Sequence, residues 1–187
     1  MELTVMRLAM RQTVLALVAV LAMSSSARAQ KESPIELGLD AAFSYGMDSP
    51  HVTTVSIPIQ RLRVGFFVSP TVSIEPAFGL SHSSESGDSF TQFDVGAGAL
   101  FHFNSSRSEM QPYVRPFVDV VHTTVGFVGG SGGFTATSLG AGVGTKIPIA
   151  NRFAWRLEAA LARTLEHDNV KAANQLSAFV GFSFFTH

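Results

Sequence analysis

The chain has 187 residues, 46% of them hydrophobic, with 13 basic and 14 acidic side chains and no cysteine. That length suits one domain. The near-neutral charge offers no basic stripe for nucleic acid, and the absence of cysteine excludes disulfides and thiol chemistry.

In chain order, the first feature is an export signal. Arg7 and Arg11 give a positive start, Thr13 to Met23 form an apolar core, and Ala27-Arg28-Ala29 is a small-x-small cleavage site. The apolar run is well short of the roughly 20 residues that a spanning helix needs. Two segments follow: a cleaved signal peptide at 1–29 and a single domain at 30–187. The mature chain keeps ten basic and thirteen acidic residues.

From Ile35 on, apolar residues alternate with charged, small or glycine residues. In Ile35 to Tyr45 one phase reads Ile35, Leu37, Leu39, Ala41, Phe43, Tyr45, and the other Glu36, Gly38, Asp40, Ala42, Ser44. Period two is the signature of a β-strand, whose successive side chains leave on opposite faces. The pattern predicts eight strands: 35–46, 54–68, 71–82, 90–103, 112–123, 135–148, 152–164 and 175–185. Each is long enough to cross a bilayer when tilted.

In the second strand Val55, Ile57 and Ile59 share one phase while Leu62, Val64, Phe66 and Val68 share the other, which predicts one extra residue near Gln60 or Arg61. Pro76 and Pro116 fall mid-strand, where each removes a ladder donor, and local bulges are expected there. Ser69-Pro70, 104–111 and Ala150-Asn151 read as turns; 46–53, 83–89, 124–134 and 165–174 read as longer loops. With both termini in the periplasm, the longer loops face outward.

Alternation alone fits either a membrane barrel or a soluble lipocalin-like barrel turned inside out. The polar face decides between them. It carries nine glycines, which weaken exposed strands but suit a crowded lumen, and the whole chain has only three lysines. It also carries a nearly balanced charge set, Glu36, Asp40, Glu75, Asp94, Asp119 and Glu158 against Arg61, Arg63, Arg115, Lys146 and Arg156, as buried charges require. Phe103, Phe153, Trp155, Phe184 and Phe185 fall near the periplasmic strand ends, as an aromatic girdle would. The fold class is therefore all-β: an eight-stranded antiparallel up-and-down transmembrane β-barrel.

The signal peptide, the run Arg63-Val64-Gly65-Phe66-Phe67-Val68-Ser69-Pro70 leading to Ile74-Glu75-Pro76, the segment Pro112-Tyr113-Val114-Arg115-Pro116-Phe117 and the last strand Val180-Gly181-Phe182-Ser183-Phe184-Phe185 resemble the small outer-membrane β-barrel domain family, which includes the OmpA membrane domain, OmpX and OmpW-like proteins. The resemblance implies the outer membrane of a Gram-negative-type envelope. It also implies contact with outer-membrane lipids and lipopolysaccharide, and recognition of the last strand by the barrel-assembly machinery. In the family the chain ends on an aromatic residue, whereas here Thr186 and His187 follow Phe185.

Candidate sites are few. His82, His102 and His122 are spaced by twenty, but the strands place them at different ends, so no metal site is expected. Gly140-Ala-Gly142-Val-Gly144-Thr-Lys146 lacks the Gly-Lys step and the helix of a phosphate loop. Some eight-stranded outer-membrane enzymes deacylate lipid A with a His-x-Ser pair. That resemblance would make His82 a base, Ser84 a nucleophile and Glu85 or Asp94 the orienting acid, but the flanking residues do not match.

In the lumen, Arg61 and Arg63 with Glu75, and Arg156 with Glu158, are the expected structural ion pairs, with Asp94, Arg115, Asp119 and Lys146 completing the set. No cofactor is implied. The expected function is a non-enzymatic, monomeric envelope or surface-interaction protein. Its alternatives are a lipid-modifying enzyme, a narrow porin-like channel and a soluble periplasmic binder.

Overall fold

Strict alternation leaves each segment one apolar and one polar face, and eight such segments can bury the polar faces by curling into a ring. The computed structural model describes residues 35–48, 53–85, 88–106, 108–127, 130–167 and 170–186; side chains at 53–60, 83–85 and 88 are outside the description. The reading of residues 1–29 as a signal peptide lies outside the described residues.

Eight strands, β1 (Ile35–Gly46), β2 (Thr53–Ser69), β3 (Val72–Glu85), β4 (Asp88–His102), β5 (Gln111–Phe127), β6 (Gly130–Ala150), β7 (Phe153–Thr164) and β8 (Ala173–Phe185), form a closed barrel in sequence order. Each pairs antiparallel with its neighbours, and β8 returns to β1 through the run Glu36–Phe185 to Gly46–Gln175. Both ends of the domain meet at what we term the proximal end, where the Thr186 N–H donates to the Ile35 carbonyl (3.0 Å) and the Ile35 N–H to Thr186 Oγ1 (3.0 Å).

The phase change in β2 is real but larger than a single residue. Between the pairs Asp40–Arg61 and Ala42–Ser56, β2 carries three more residues than β1. An odd excess restores the phase, so Val55 lies opposite Phe43 as Leu62 lies opposite Leu39.

Pro76 and Pro116 produce no bulge, contrary to expectation. Pro76 sits opposite Ala97 in an unbroken β3–β4 register, and on the β2 side the pairing skips from Arg63–Ala77 to Phe66–Ile74 without a shift. Pro116 repeats this: opposite Ala141 in an unbroken β5–β6 register, with the β4 side skipping from Gly98–Phe117 to Phe101–Val114. The ladder opens only on the side where the ring has no N–H to offer.

In two segments expected as loops the described residues are strand. β3 and β4 stay paired to Glu85–Asp88, β4 and β5 to Ser89–Gly126, and β5 and β6 to Phe127–Gly130, so residues 124–127 and 130–134 belong to a four-stranded sheet that extends beyond the end of β7. We term this end distal. Glycine and serine hid the period in these segments, and cross-strand hydrogen bonds sustain the strands without it.

Candidate functional site

The lumen is built from the polar phase of every strand. Glu36, Asp40, Arg63, Glu75, Arg115, Lys146, Arg156 and Glu158 are all buried, with Glu36 wholly enclosed. The glycines make this possible. A Cβ on Gly38 would collide with the Arg63 guanidinium, one on Gly181 with Asp40, one on Gly142 with Glu158 (2.6 Å) and one on Gly144 with the Tyr113 hydroxyl (2.5 Å). Most of these are directly paired neighbours on the next strand, so each large side chain lies flat across a glycine beside it, rather than reaching in from the opposite wall.

Toward the proximal end the charges form one connected network. Lys146 on β6 pairs with Glu36 on β1, which also accepts from Ser183 Oγ on β8 (2.5 Å) and lies 3.6 Å from Arg63 Nη1 on β2. Arg63 also pairs with Asp40 and donates to Glu75 on β3 (2.9 Å). Arg156 on β7 bridges Glu75 (2.7 Å) and Glu158 (2.5 Å). Glu158 further pairs with Arg115 on β5 and accepts from the Tyr113 hydroxyl (2.8 Å). Four cations thus meet four carboxylates, with all eight side chains shielded from water. Exact balance matters because an unpaired charge in such an interior carries its full desolvation penalty.

Aromatic rings close the lumen below this network. His102 stacks on Phe67 (5.6 Å between ring centroids) and meets the edge of Tyr113 (5.8 Å). Phe185 packs inside against Phe67 (6.4 Å), which corrects its expected place in the outer girdle: period two puts it on the face opposite Phe184. Phe103, Phe153 and Trp155 do lie outside, with Phe153 against Phe184 (5.1 Å) and Trp155 against Phe182 (3.9 Å).

Distally the arrangement differs. Arg61 meets Asp119 and, at 3.5 Å, Asp94, rather than Glu75. These side chains are 15–19% exposed. They border a cavity of about 230 Å³ whose lining also includes Ser44, Gln92, Phe117 and Gln175.

Of the catalytic candidates, His82 is exposed, and its Nδ1 bonds Thr91 Oγ1 (2.8 Å). Asp94 belongs to the lumen face and His82 to the outer face of the sheet, so the two do not form a base–acid pair. The side chains of Ser84 and Glu85 lie outside the described residues. His122 bonds Thr135 (2.9 Å) on the outer face while His102 sits in the lumen, so the three spaced histidines do not converge.

The outer face is an apolar belt including Leu80, Phe93, Leu139, Val143, Leu157, Leu161 and Val180, all exposed. Charged, paired lumen and apolar exterior together describe a barrel whose solvent is lipid. A family model described as the outer membrane protein beta-barrel domain matches residues 13–184. The chain belongs to this family. It is an outer-membrane protein, which sets aside the soluble reading.

Solved structures show the same fold at low identity. Neisserial surface protein A matches with a TM-score of 0.62 at 16% identity, over 80% of this chain and 96% of that one. Ail, the attachment invasion locus protein of Yersinia pestis, matches with a TM-score of 0.53 at 16% identity, over 83% and 99%. The N-terminal barrel domain of Pseudomonas aeruginosa OprF matches with a TM-score of 0.51 at 18% identity, over 83% and 100%. No curated protein sequence matches the chain significantly.

The sequence identified which charges enter the lumen but not all of their partners. Tyr113, Ser183 and the aromatic floor were missed as network members. Their signal was available: each occupies the polar phase of its strand.

Proposed function

We propose that the protein is a closed, monomeric, non-enzymatic barrel, exported by removal of residues 1–29, that acts as an envelope scaffold and through its distal end. The termini face the periplasm, the longer distal hairpins face outside, the belt contacts outer-membrane lipid and lipopolysaccharide, and β8 is the strand that the assembly machinery engages. The observation that supports this most is the balanced network crossing the lumen from Lys146 through Glu36, Arg63, Glu75 and Arg156 to Glu158. Eight strands enclose a space that side chains alone can fill. Here salt bridges and the ring cluster of Phe67, His102, Tyr113 and Phe185 fill it. The role of the lumen charges, including Arg61 with Asp94 and Asp119, is structural: they hold the strands in register and stop the bore.

Planar-bilayer recording of the purified protein tests the closed state. No discrete conductance steps are expected, and reproducible steps altered by Arg63→Gln would overturn it. Incubation with lipid A tests the absence of deacylation: acyl chains should remain intact by mass spectrometry.

A further inference from the structure

The buried network fills the proximal half of the lumen, but the distal half keeps its cavity of about 230 Å³. Apart from Asp40, which Arg63 holds, the cavity's charges stand on one wall. Arg61 on β2, Asp94 on β4 and Asp119 on β5 lie flat across Gly79 and Gly96, where a Cβ would strike both carboxylates. The facing wall offers Ala42 and Ser44 on β1, Ser138 on β6, Ala160 and Ala162 on β7, and Ser177 on β8. Proximally, Lys146 and Arg156 reach from β6 and β7 to carboxylates on β1 and β3. Here no cation lines the facing wall, and its small side chains leave the bore open.

The charges on the occupied wall do not balance. Arg61 takes Asp119 with both terminal nitrogens, through Nη2 and, at 3.3 Å, through Nη1. It approaches Asp94 only with Nε, at 3.5 Å, and that nitrogen makes no hydrogen bond. Among the described residues no other group donates to the Asp94 carboxylate. One cation thus serves two carboxylates, and Asp94 is left over. All three groups are partly exposed, whereas the proximal network is shielded, so the cavity opens distally. The sequence of the distal hairpins continues the excess, with Asp48, Glu85, Asp88, Glu166 and Asp168 against Arg163 and Lys171.

We propose that the distal cavity binds a linear aliphatic polyamine, with one ammonium on Asp94 and the next directed toward the acidic hairpins. A carboxylate held away from bulk water calls for a cation, and a charge-assisted N–H···O bond satisfies both partners. The Ala42, Ala160 and Ala162 methyls and the Phe117 and Phe179 rings line the same space and suit a methylene chain. Ser44 and Ser177, bonded to each other at 3.0 Å, and Gln92 offer oxygen acceptors to the remaining N–H groups. A compact divalent ion fits less well, because it needs several oxygens at once and Asp119 is already held by Arg61. Among the described residues, no three His, Asp or Glu side chains are placed to hold a metal ion. The proposal goes beyond the structural role of these charges: Arg61 and Asp119 keep that role, and Asp94 gains one in recognition. The cavity ends on the proximal network, so the polyamine is held and not conducted.

The test titrates the mature protein in phosphatidylcholine nanodiscs with spermidine by calorimetry, subtracting the heat of empty nanodiscs. One-to-one binding is expected, weakened at least about tenfold in Asp94→Asn. Ala162→Leu, which fills the cavity from the uncharged wall, should weaken it comparably; both variants are used only with the heat-modifiable gel shift retained. On the unaltered chain, spermidine acetylated on every nitrogen should not bind, and magnesium at matched ionic strength should leave spermidine bound. Four results overturn the proposal: no binding, unchanged affinity in folded Asp94→Asn or Ala162→Leu, equal affinity of the acetylated chain, or full displacement by magnesium. The last would reduce the effect to diffuse attraction by the acidic hairpins.

Discussion

Glycine and charge form a single device at the level of the residue. Each lumen glycine leaves the floor on which a neighbouring charged or aromatic side chain lies, so substitutions should sort by what a methyl would meet. At Gly144 a Cβ would lie 2.5 Å from the Tyr113 hydroxyl and 2.6 Å from the Leu157 carbonyl, whereas at Gly132 nothing lies within 4 Å. Gly144→Ala should therefore cost about 1–3 kcal/mol through overpacking, while Gly132→Ala leaves stability unchanged or slightly raised. Urea titration of folding into lipid vesicles measures both. The carboxylates follow a harsher rule. Glu75 stands between Arg63 (2.9 Å) and Arg156 (2.7 Å), so Glu75→Ala leaves two buried guanidinium groups without their shared partner. A loss of about 3–5 kcal/mol is expected in the same titration. A loss below about 1 kcal/mol would mean that water enters the lumen and screens the charges.

For a single strand, position along its length decides what a charge costs. Val143 and Thr135 both belong to the outward phase of β6, Val143 inside the apolar belt and Thr135 on the sheet extension beyond it. A lysine facing lipid at mid-depth costs about 2–4 kcal/mol and one near the interface about 0–1 kcal/mol. Val143→Lys should fall in the first range and Thr135→Lys in the second, read as shifts in the urea midpoint; equal costs would misplace the belt's edge. This strand also marks what a reader of the sequence could see. Its membrane-crossing part is legible because Leu139, Ala141 and Val143 alternate with Gly140, Gly142 and Gly144. Its distal part is not, because the alternation inverts and glycine and serine carry it. Lumen membership needed only the phase, which is why Arg63 and Glu158 could be assigned to the interior. Partnership depends on the stagger between strands, which no local pattern encodes, and so Arg61 meets Asp119 and Asp94 instead of Glu75.

The closed ring ties all of these elements together. Each strand is held by two neighbours, and the buried network links β1, β2, β3, β5, β6 and β7 through side chains, with β8 joined through Ser183. No strand can leave without opening the ladder on both sides, and the departure of β1, β2, β3, β5, β6 or β7 also strands a buried charge. Unfolding should therefore be a single cooperative event, and the molecule carries a convenient reporter. Trp155, the sole tryptophan, lies on the outer face against the Phe182 ring (3.9 Å), in the proximal half. Its fluorescence reports loss of lipid contact there, whereas conversion of the fast, unboiled gel band to the slow one reports opening of the whole barrel. The two midpoints should coincide within error on heating or in urea, as a two-state transition requires. They should move together in Glu75→Ala and stay fixed in Gly132→Ala. A tryptophan signal that melts before the gel shift would show the proximal network to be a separable unit, with the distal strands persisting without it.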